Sequence, residues 1–301
     1  DAGKKSLFCN EDYKAAGAKI CHRREIFKLA DIIVGIESPQ DREIKKLQKF
    51  STIIARSYNP KSCPVLQKNE LSFLDLNNIP RLSNLQNLDI LSSQDMLGGY
   101  ACVYQAAAEL KKILPLTITS VGSINPAVFL VIGVGVFGLS ALATAKKLGA
   151  TVYAYDINPQ VSDIVKSVGA KFINLTSKEK MKEFLPKIDV LICSAFSHNK
   201  SATKIIDEEL LKLMPRGSVV IDAAIKYGGN VVCTKLNEKI EKYNSVIFGY
   251  ADWASEVATS ASTVMSGNIT NLISGYFHGG RPDYSNEVIA KICVCKNGKT
   301  S

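Results

Sequence analysis

The sequence predicts an α/β protein built on mainly parallel sheets wound with helices. Three observations lead there. From Val128 onward, strand-like and helix-like segments alternate, the rhythm of a doubly wound sheet. The stretch "VFLVIGVGVFGLSALATAKKLGATVYAYD", Val128 to Asp156, reads as strand, glycine-rich turn, helix and second strand. The segment before Pro80 carries weaker α/β signals, and 301 residues leave room for one large or two medium domains.

The Val128–Asp156 stretch is the most informative. Val128 to Ile132 is a β-branched and aromatic block, as in a strand buried on both faces. Gly133-Val134-Gly135-Val136-Phe137-Gly138 then matches G-x-G-x-x-G. The first Gly permits a tight turn, the second lets backbone approach a pyrophosphate, and the third lets helix and strand pack closely. The helix N-terminus faces the phosphate charge. Leu139 to Leu148 is the expected helix, with Gly149 as its cap, and Thr151 to Tyr155 is the second strand. Asp156 ends that strand about 20 residues downstream, where a carboxylate accepts hydrogen bonds from adenosine ribose hydroxyls. Together these predict a Rossmann-like unit that holds a dinucleotide.

A membrane anchor is the competing reading, since no charged residue lies between Lys112 and Lys146. Pro115, Pro126, Gly122, Gly133, Gly135 and Gly138 interrupt that run and argue against it. Net charge is +9, but the Lys and Arg residues are scattered and no basic run is interleaved with aromatics, so nucleic acid is not an expected partner. The eight Cys include no C-x-x-C and suit no zinc site; no metal is expected, and reduced, mostly buried thiols are. The chain starts at Asp1, without Met or a signal peptide, and reads as a fragment.

After Asp156 a helix is expected around Gln160–Val168, then strands in "KFINL", "IDVLICSAF", "GSVVIDAAI" and "SVIFGYADW", with "DEELLKLMPRG" as a helix stopped by Pro215 and Gly217. Nearer the start, "NEDYKAAGAKI" and "PQDREIKKLQKF" look helical, and "ADIIVGIES", "STIIARSY" and "LSFLDL" look like strands. This predicts a second Rossmann-like lobe lacking its opening strand and helix. A long helix, roughly Leu88 to Ile113, would join the lobes, and a helix from about Ser260 to Phe277 would return toward the first. "VIAKICVCKNG" would add a closing strand and turn. The expected division is therefore residues 1–87 plus 278–301 as the first lobe, 88–113 as the connecting helix, and 114–277 as the nucleotide-binding lobe.

Several segments, in one order over nearly the whole chain, resemble a known family. They are "YKAAGAKI", "PRLSNLQNLDILSS" (Pro80–Ser93), "GGYACVYQAAAEL", the Gly-rich unit and "GSVVIDAAIKYGGN". They look like the NAD(H)-binding domain of proton-translocating nicotinamide nucleotide transhydrogenase, of which alanine dehydrogenase is the soluble relative. The resemblance implies two Rossmann-like lobes with NAD(H) in the cleft between them. It implies hydride transfer from NADH to NADP+ on a partner domain, coupled to proton movement by a membrane domain. It further implies a homodimer on the matrix or cytoplasmic face of an energy-transducing inner membrane, with no spanning segment in this chain. By match, Arg81, Gln86, Asp89 and Ser92 would surround the nicotinamide. Gly133, Gly135, Val136 and Gly138 would hold the pyrophosphate, and Asp156, Ile157, Asn158 and Ala223 the adenosine half.

The chemistry fits that branch. Oxidising an amine or alcohol releases a proton and needs a general base, usually His or Lys. Hydride transfer between two nicotinamide rings needs alignment and exclusion of water instead. Only His22, His198 and His278 are present, and His198 in "SHNKSAT" reads as solvent-exposed. Where alanine dehydrogenases carry a Lys, "IIVGIESP" has Gly35, and no His follows in "STIIARSYNP". Three departures remain. Where the family carries a longer insert that includes a mobile lid, "TSKEKMKEFLPK" bridges directly to the next strand; "SHNKSAT" stands in place of its Pro-Gly-Lys-rich loop, and Asn84 in place of a second Arg near Arg81. They leave open a soluble alanine-dehydrogenase-like enzyme or a non-catalytic NAD-binding module.

Overall fold

The computed structural model describes residues 2–196 and 201–300, so His198 lies outside the described residues. The chain divides into two compact units: residues 1–93 with 262–301, and residues 94–261. The boundaries fall inside two long helices, Ile90–Glu109 and Ala258–Tyr276.

In the first unit, strands Ile32–Glu37, Thr52–Arg56 and Ser72–Asp75 pair in parallel. Cys293–Lys296 then adds antiparallel to Ser72–Asp75, with Lys299–Thr300 at the edge. Successive strand residues face opposite sides. Ile53 and Phe73 enter one core with Ile44, Leu66 and Leu71, while Ile54 and Leu74 enter another with Met265, Leu272 and Ile289. The sheet is therefore covered on both faces, which parallel strands require.

The second unit holds a seven-stranded sheet. From one edge the order is Lys239–Lys242, Ser245–Phe248, Ser218–Asp222, Val190–Cys193, Val128–Ile132, Thr151–Tyr155 and Lys171–Phe172. All neighbours pair in parallel except the antiparallel edge pair Lys239–Lys242 with Ser245–Phe248. Phe129, Val131, Ile192 and Ile221 fill one side, and Leu130, Ile132, Leu191 and Val220 the other. The direction of strand addition reverses between Val128–Ile132 and Val190–Cys193. Ligands of doubly wound sheets bind beyond the carboxyl ends of strands at such a reversal.

Packing explains where this unit's helices can come close. A Cβ on Gly99 would strike the Phe137 carbonyl oxygen and come within 2.8 Å of Ser140 Cβ. Only Gly lets the Ile90–Glu109 helix lie this near the Val136–Lys147 helix, and Ser140 Oγ donates to the Met96 carbonyl at 2.6 Å across the contact.

Several expected elements differ in extent. The connecting helix runs Ile90–Glu109, not to Ile113. "PQDREIKKLQKF" is helical only over Asp41–Ile44, because Ile44 and Leu47 turn inward to be buried. "DEELLKLMPRG" is helical only over Glu208–Leu211: Asp207 caps it, and the backbone then tightens into i→i+3 bonds that bury Met214. "VIAKI" is not strand but the helix Glu287–Ile292, capped by the Asn286 side chain, with the closing strand starting at Cys293. "TSKEKMKEFLPK" contains the helix Lys178–Phe184. No described helix is long and apolar enough to cross a membrane. Cys102, Cys193, Cys293 and Cys295 are buried, and burial pushes the Cys102 and Cys193 thiols up, away from the reactive thiolate form.

Candidate functional site: a dinucleotide turn at the strand reversal

The Gly-rich turn leaves the sheet at the reversal point. Gly133 has φ +93°, in the left-handed region that favours Gly. A side chain there would also lie 2.6 Å from the Ala195 nitrogen. Gly135 precedes the Val136–Lys147 helix, and a Cβ on it would meet nothing within 4 Å. That open space beside bare backbone is what a pyrophosphate needs to approach the helix N-terminus. Val136 is exposed there. Gly138 packs so closely that a Cβ would strike the Gly133 carbonyl oxygen and lie 2.9 Å from Ser194 Oγ. Gly138→Ala should therefore lower unfolding stability by about 1–3 kcal/mol, read from the urea midpoint at unchanged m-value.

Asp156 latches this turn from the neighbouring strand. Its Oδ2 accepts the Val134 N–H at 2.6 Å, and its Oδ1 accepts the Asn158 N–H at 2.8 Å. A carboxylate has about four acceptor positions, so capacity remains for ribose hydroxyls. Ile157 is 89% exposed and Asn158 is exposed, so neither is committed to the core. Ala223 is buried where the Ser218–Asp222 strand ends, and its N–H donates to the Cys193 carbonyl at 2.9 Å. The structure thus gathers Gly133, Gly135, Val136, Gly138, Asp156 and Asn158 around one turn, with Ala223 at a nearby strand end. Their open backbone, helix N-terminus and spare carboxylate acceptors fit a dinucleotide.

In the first unit, Asp89 is buried immediately before the Ile90–Glu109 helix. Its carboxylate accepts the Ser92 N–H at 2.9 Å and the Ser92 hydroxyl at 2.6 Å. That is a helix cap with charge favourable to the dipole. Arg81 and Gln86 are exposed on the preceding segment, as is Asn84. The structure brings Asp89 and Ser92 together and leaves Arg81 and Gln86 at the surface.

Elsewhere in this unit Arg56 is buried and Nη2 donates to Glu37 Oε1 at 2.9 Å. Gly35 lies within the Ile32–Glu37 strand, so it supplies no side chain to the carboxyl ends of these strands. Two further residues lie beside the turn: Ser194, which the sequence did not single out and whose Oγ donates to the Gly133 carbonyl at 2.8 Å, and Asn230, the buried last residue of the "YGGN" segment, which the sequence read either as a plain turn or as lying near the nucleotide. "CSAF" and "YGGN" carry them, without any spacing that marks their partners.

Fold and turn together define a Rossmann-type dinucleotide-fold protein. Residues 1–97 match the family model "Alanine dehydrogenase/PNT, N-terminal domain" and residues 102–301 match "Alanine dehydrogenase/PNT, C-terminal domain". The chain belongs to the alanine dehydrogenase/PNT family. It is 32% identical over 302 residues to NAD(P) transhydrogenase subunit alpha of Cereibacter sphaeroides, covering 91% of this chain and 58% of that one. It is 33% identical over 299 residues to NAD(P) transhydrogenase subunit alpha of Haemophilus influenzae, again covering 91% and 58%. The chain thus spans a little over half the length of these two relatives. The crystal structure of transhydrogenase from Sinorhizobium meliloti superposes with a TM-score of 0.93 at 30% identity, covering 100% of this chain and 89% of that one.

Proposed function

We propose that this chain is the NAD(H)-binding component of a nicotinamide nucleotide transhydrogenase. It passes hydride from NADH to NADP+ held by a partner domain, and a membrane domain of the parent enzyme couples this to proton translocation across an inner membrane, on whose matrix or cytoplasmic face this chain sits. The observation that carries the reading is the Asp156 carboxylate, fixed against the Gly133–Gly138 turn at the strand reversal with acceptors to spare. The named relatives support the choice of reaction.

The residues divide the work. Gly135 and Val136 at the helix N-terminus meet the pyrophosphate, Asp156 the ribose, and Ile157, Asn158 and Ala223 border the adenosine half. Arg81, Gln86, Asp89 and Ser92 orient the nicotinamide, with Asp89 and Ser92 held as one unit by their mutual hydrogen bonds. NAD supplies the hydride carrier; the chain supplies position and exclusion of water. No proton needs to move in the transfer itself. This agrees with Gly35 where alanine dehydrogenases carry a Lys.

A homodimer is included in the proposal. Met96, Tyr100 and Tyr104 recur at helical spacing on the Ile90–Glu109 helix and are 49%, 49% and 63% exposed. Ile118 and Val121, in the Thr117–Thr119/Gly122–Ile124 hairpin, are 81% and 94% exposed. These exposed apolar residues support the dimer reading as candidates for an interaction face.

Mixed with the NADP(H)-binding domain of a transhydrogenase, the chain should reduce an NADP+ analogue at the expense of NADH. Alone with alanine and NAD+ it should form no NADH. Alanine-dependent NADH production that vanishes on replacing a single Lys or His would overturn the reading.

A further inference from the structure

Three strand ends of the second unit are tied together by side chains, and the ties run in series. Asp222, fully buried at the end of Ser218–Asp222, accepts the N–H groups of Ala224, Asn230 and Val231 at 3.2, 3.0 and 3.0 Å. The backbone reaches it through Gly229, at φ +80°, where a Cβ would lie 2.6 Å from Asp222 Oδ2. Asn230 is thereby fixed, and its carbonyl accepts the Ile205 and Ile206 N–H groups at 2.7 and 3.0 Å. Its side-chain amide is also fully buried. Oδ1 accepts the Ala195 N–H at 3.0 Å, and Nδ2 donates to the Ala195 and Thr203 carbonyls, both at 2.9 Å.

The carboxamide therefore meets both polar backbone groups of Ala195, as a neighbouring strand would, at the point where the Val190–Cys193 strand has ended. Ser194 stands one residue earlier, with little freedom left. Its N–H donates to the Ile132 carbonyl at 2.8 Å and its hydroxyl to the Gly133 carbonyl at 2.8 Å. The dinucleotide turn thus has two latches: Asp156 holds the Val134 N–H from one neighbouring strand, and Ser194 holds the Gly133 carbonyl from the other. Only the first is legible as a nucleotide ligand. Ser194 and Ala195 lie against the turn: a Cβ on Gly133 would come within 2.6 Å of the Ser194 carbonyl carbon and the Ala195 nitrogen, and one on Gly138 within 2.9 Å of Ser194 Oγ.

We infer that Asn230 is a positioning residue for dinucleotide binding, acting through Ala195 and Ser194 on the Gly133–Gly138 turn. It touches no nucleotide. Its amide geometry sets where the pyrophosphate-facing backbone lies, and Ser194 transmits that position. The inference rests on the dinucleotide reading for its ligand, but its mechanical link does not.

The test is a double-mutant cycle with Ser194→Ala and Asn230→Ser in the full chain. NADH affinity is read by fluorescence titration, and amide exchange at Gly133 and Val134 is read without nucleotide. These two N–H groups donate to the Tyr155 carbonyl and to Asp156. Each single variant should raise the NADH Kd by up to about tenfold, the worth of about one lost hydrogen bond. The double variant should also lose about tenfold, not about a hundredfold, since the two residues act in one line. Exchange at Gly133 and Val134 should quicken in both single variants. Ser194→Ala should leave the Ala195 amide protected, because the clamp lies upstream of it.

Multiplicative losses in the double variant, with Gly133 and Val134 exchange unchanged in Asn230→Ser, would overturn the inference. If Asn230→Ser does not fold, Ser194→Ala still decides: wild-type exchange at Gly133 and Val134 together with wild-type NADH affinity would overturn it. If the wild-type chain binds no NADH, the dinucleotide reading falls, while the exchange comparison still decides the link.

Discussion

Asp156→Ala should weaken NADH binding by about 1.5–3 kcal/mol, the scale of a lost hydrogen bond to a charged group. It should also erase the preference for NADH over NADPH. The structure makes this substitution heavier than the loss of a ribose contact. Asp156 holds the Val134 and Asn158 N–H groups at 2.6 and 2.8 Å, so alanine also frees the Gly133–Gly138 turn. Asp156→Asn separates the two effects, because it keeps the shape and one oxygen acceptor but removes the charge. Its NADH affinity should fall less than that of the alanine variant, while discrimination against the 2′-phosphate falls as far. The discrimination expected of the wild type has a simple origin: the phosphate would meet a carboxylate, and Ile157 and Asn158 bring no cation beside it. Calorimetric titration with both nucleotides measures it. Tighter wild-type binding of NADPH than NADH would sink the assignment.

The sequence reveals some of this site and hides the rest for physical reasons. The Gly133–Gly138 turn and Asp156 are legible because a local unit must supply turn, helix N-terminus and terminal acid within one βαβ span. The parallel strands are legible because burial on both faces makes them continuous apolar runs, as Val128–Ile132 and Val190–Cys193 are. The Thr117–Thr119/Gly122–Ile124 hairpin is not, because its apolar residues are at the surface and the uncharged stretch around them reads as interior. "VIAKICVC" misleads in the opposite way. Its β-branched composition suggests a strand throughout, but the Asn286 side chain accepts the Val288 N–H and starts a helix that ends only at Ile292. Ser194, and the partners of Asn230 in "YGGN", are hidden for a third reason. Their bonds join positions 61 and 35 residues apart in sequence. No spacing rule links partners that only the strand order of the sheet makes neighbours.

Gln86→Ala should slow hydride transfer by about 100-fold while leaving NADH affinity within about tenfold. On the proposed reading, most binding free energy comes from the adenosine and pyrophosphate half, around Gly133–Gly138 and Asp156. A residue at the nicotinamide end then sets ring position more than total affinity, and a misplacement of about 1 Å can cost that factor in rate. The structure picks Gln86 over Asp89 for this test. Asp89 is buried and caps the Ile90–Glu109 helix through Ser92, so removing it would cost about 0.5–2 kcal/mol of stability and confuse the readout. Gln86 is exposed, and its loss should leave the unfolding midpoint unchanged. Stopped-flow transfer with an NADP(H)-binding partner domain gives the rate, and fluorescence titration gives the affinity. Equal losses in both would make Gln86 a binding residue only. No loss in either would make the Pro80–Ser93 segment a helix entry without a role in transfer, and the chain a nucleotide-binding module in which Asp156 and the glycine turn suffice.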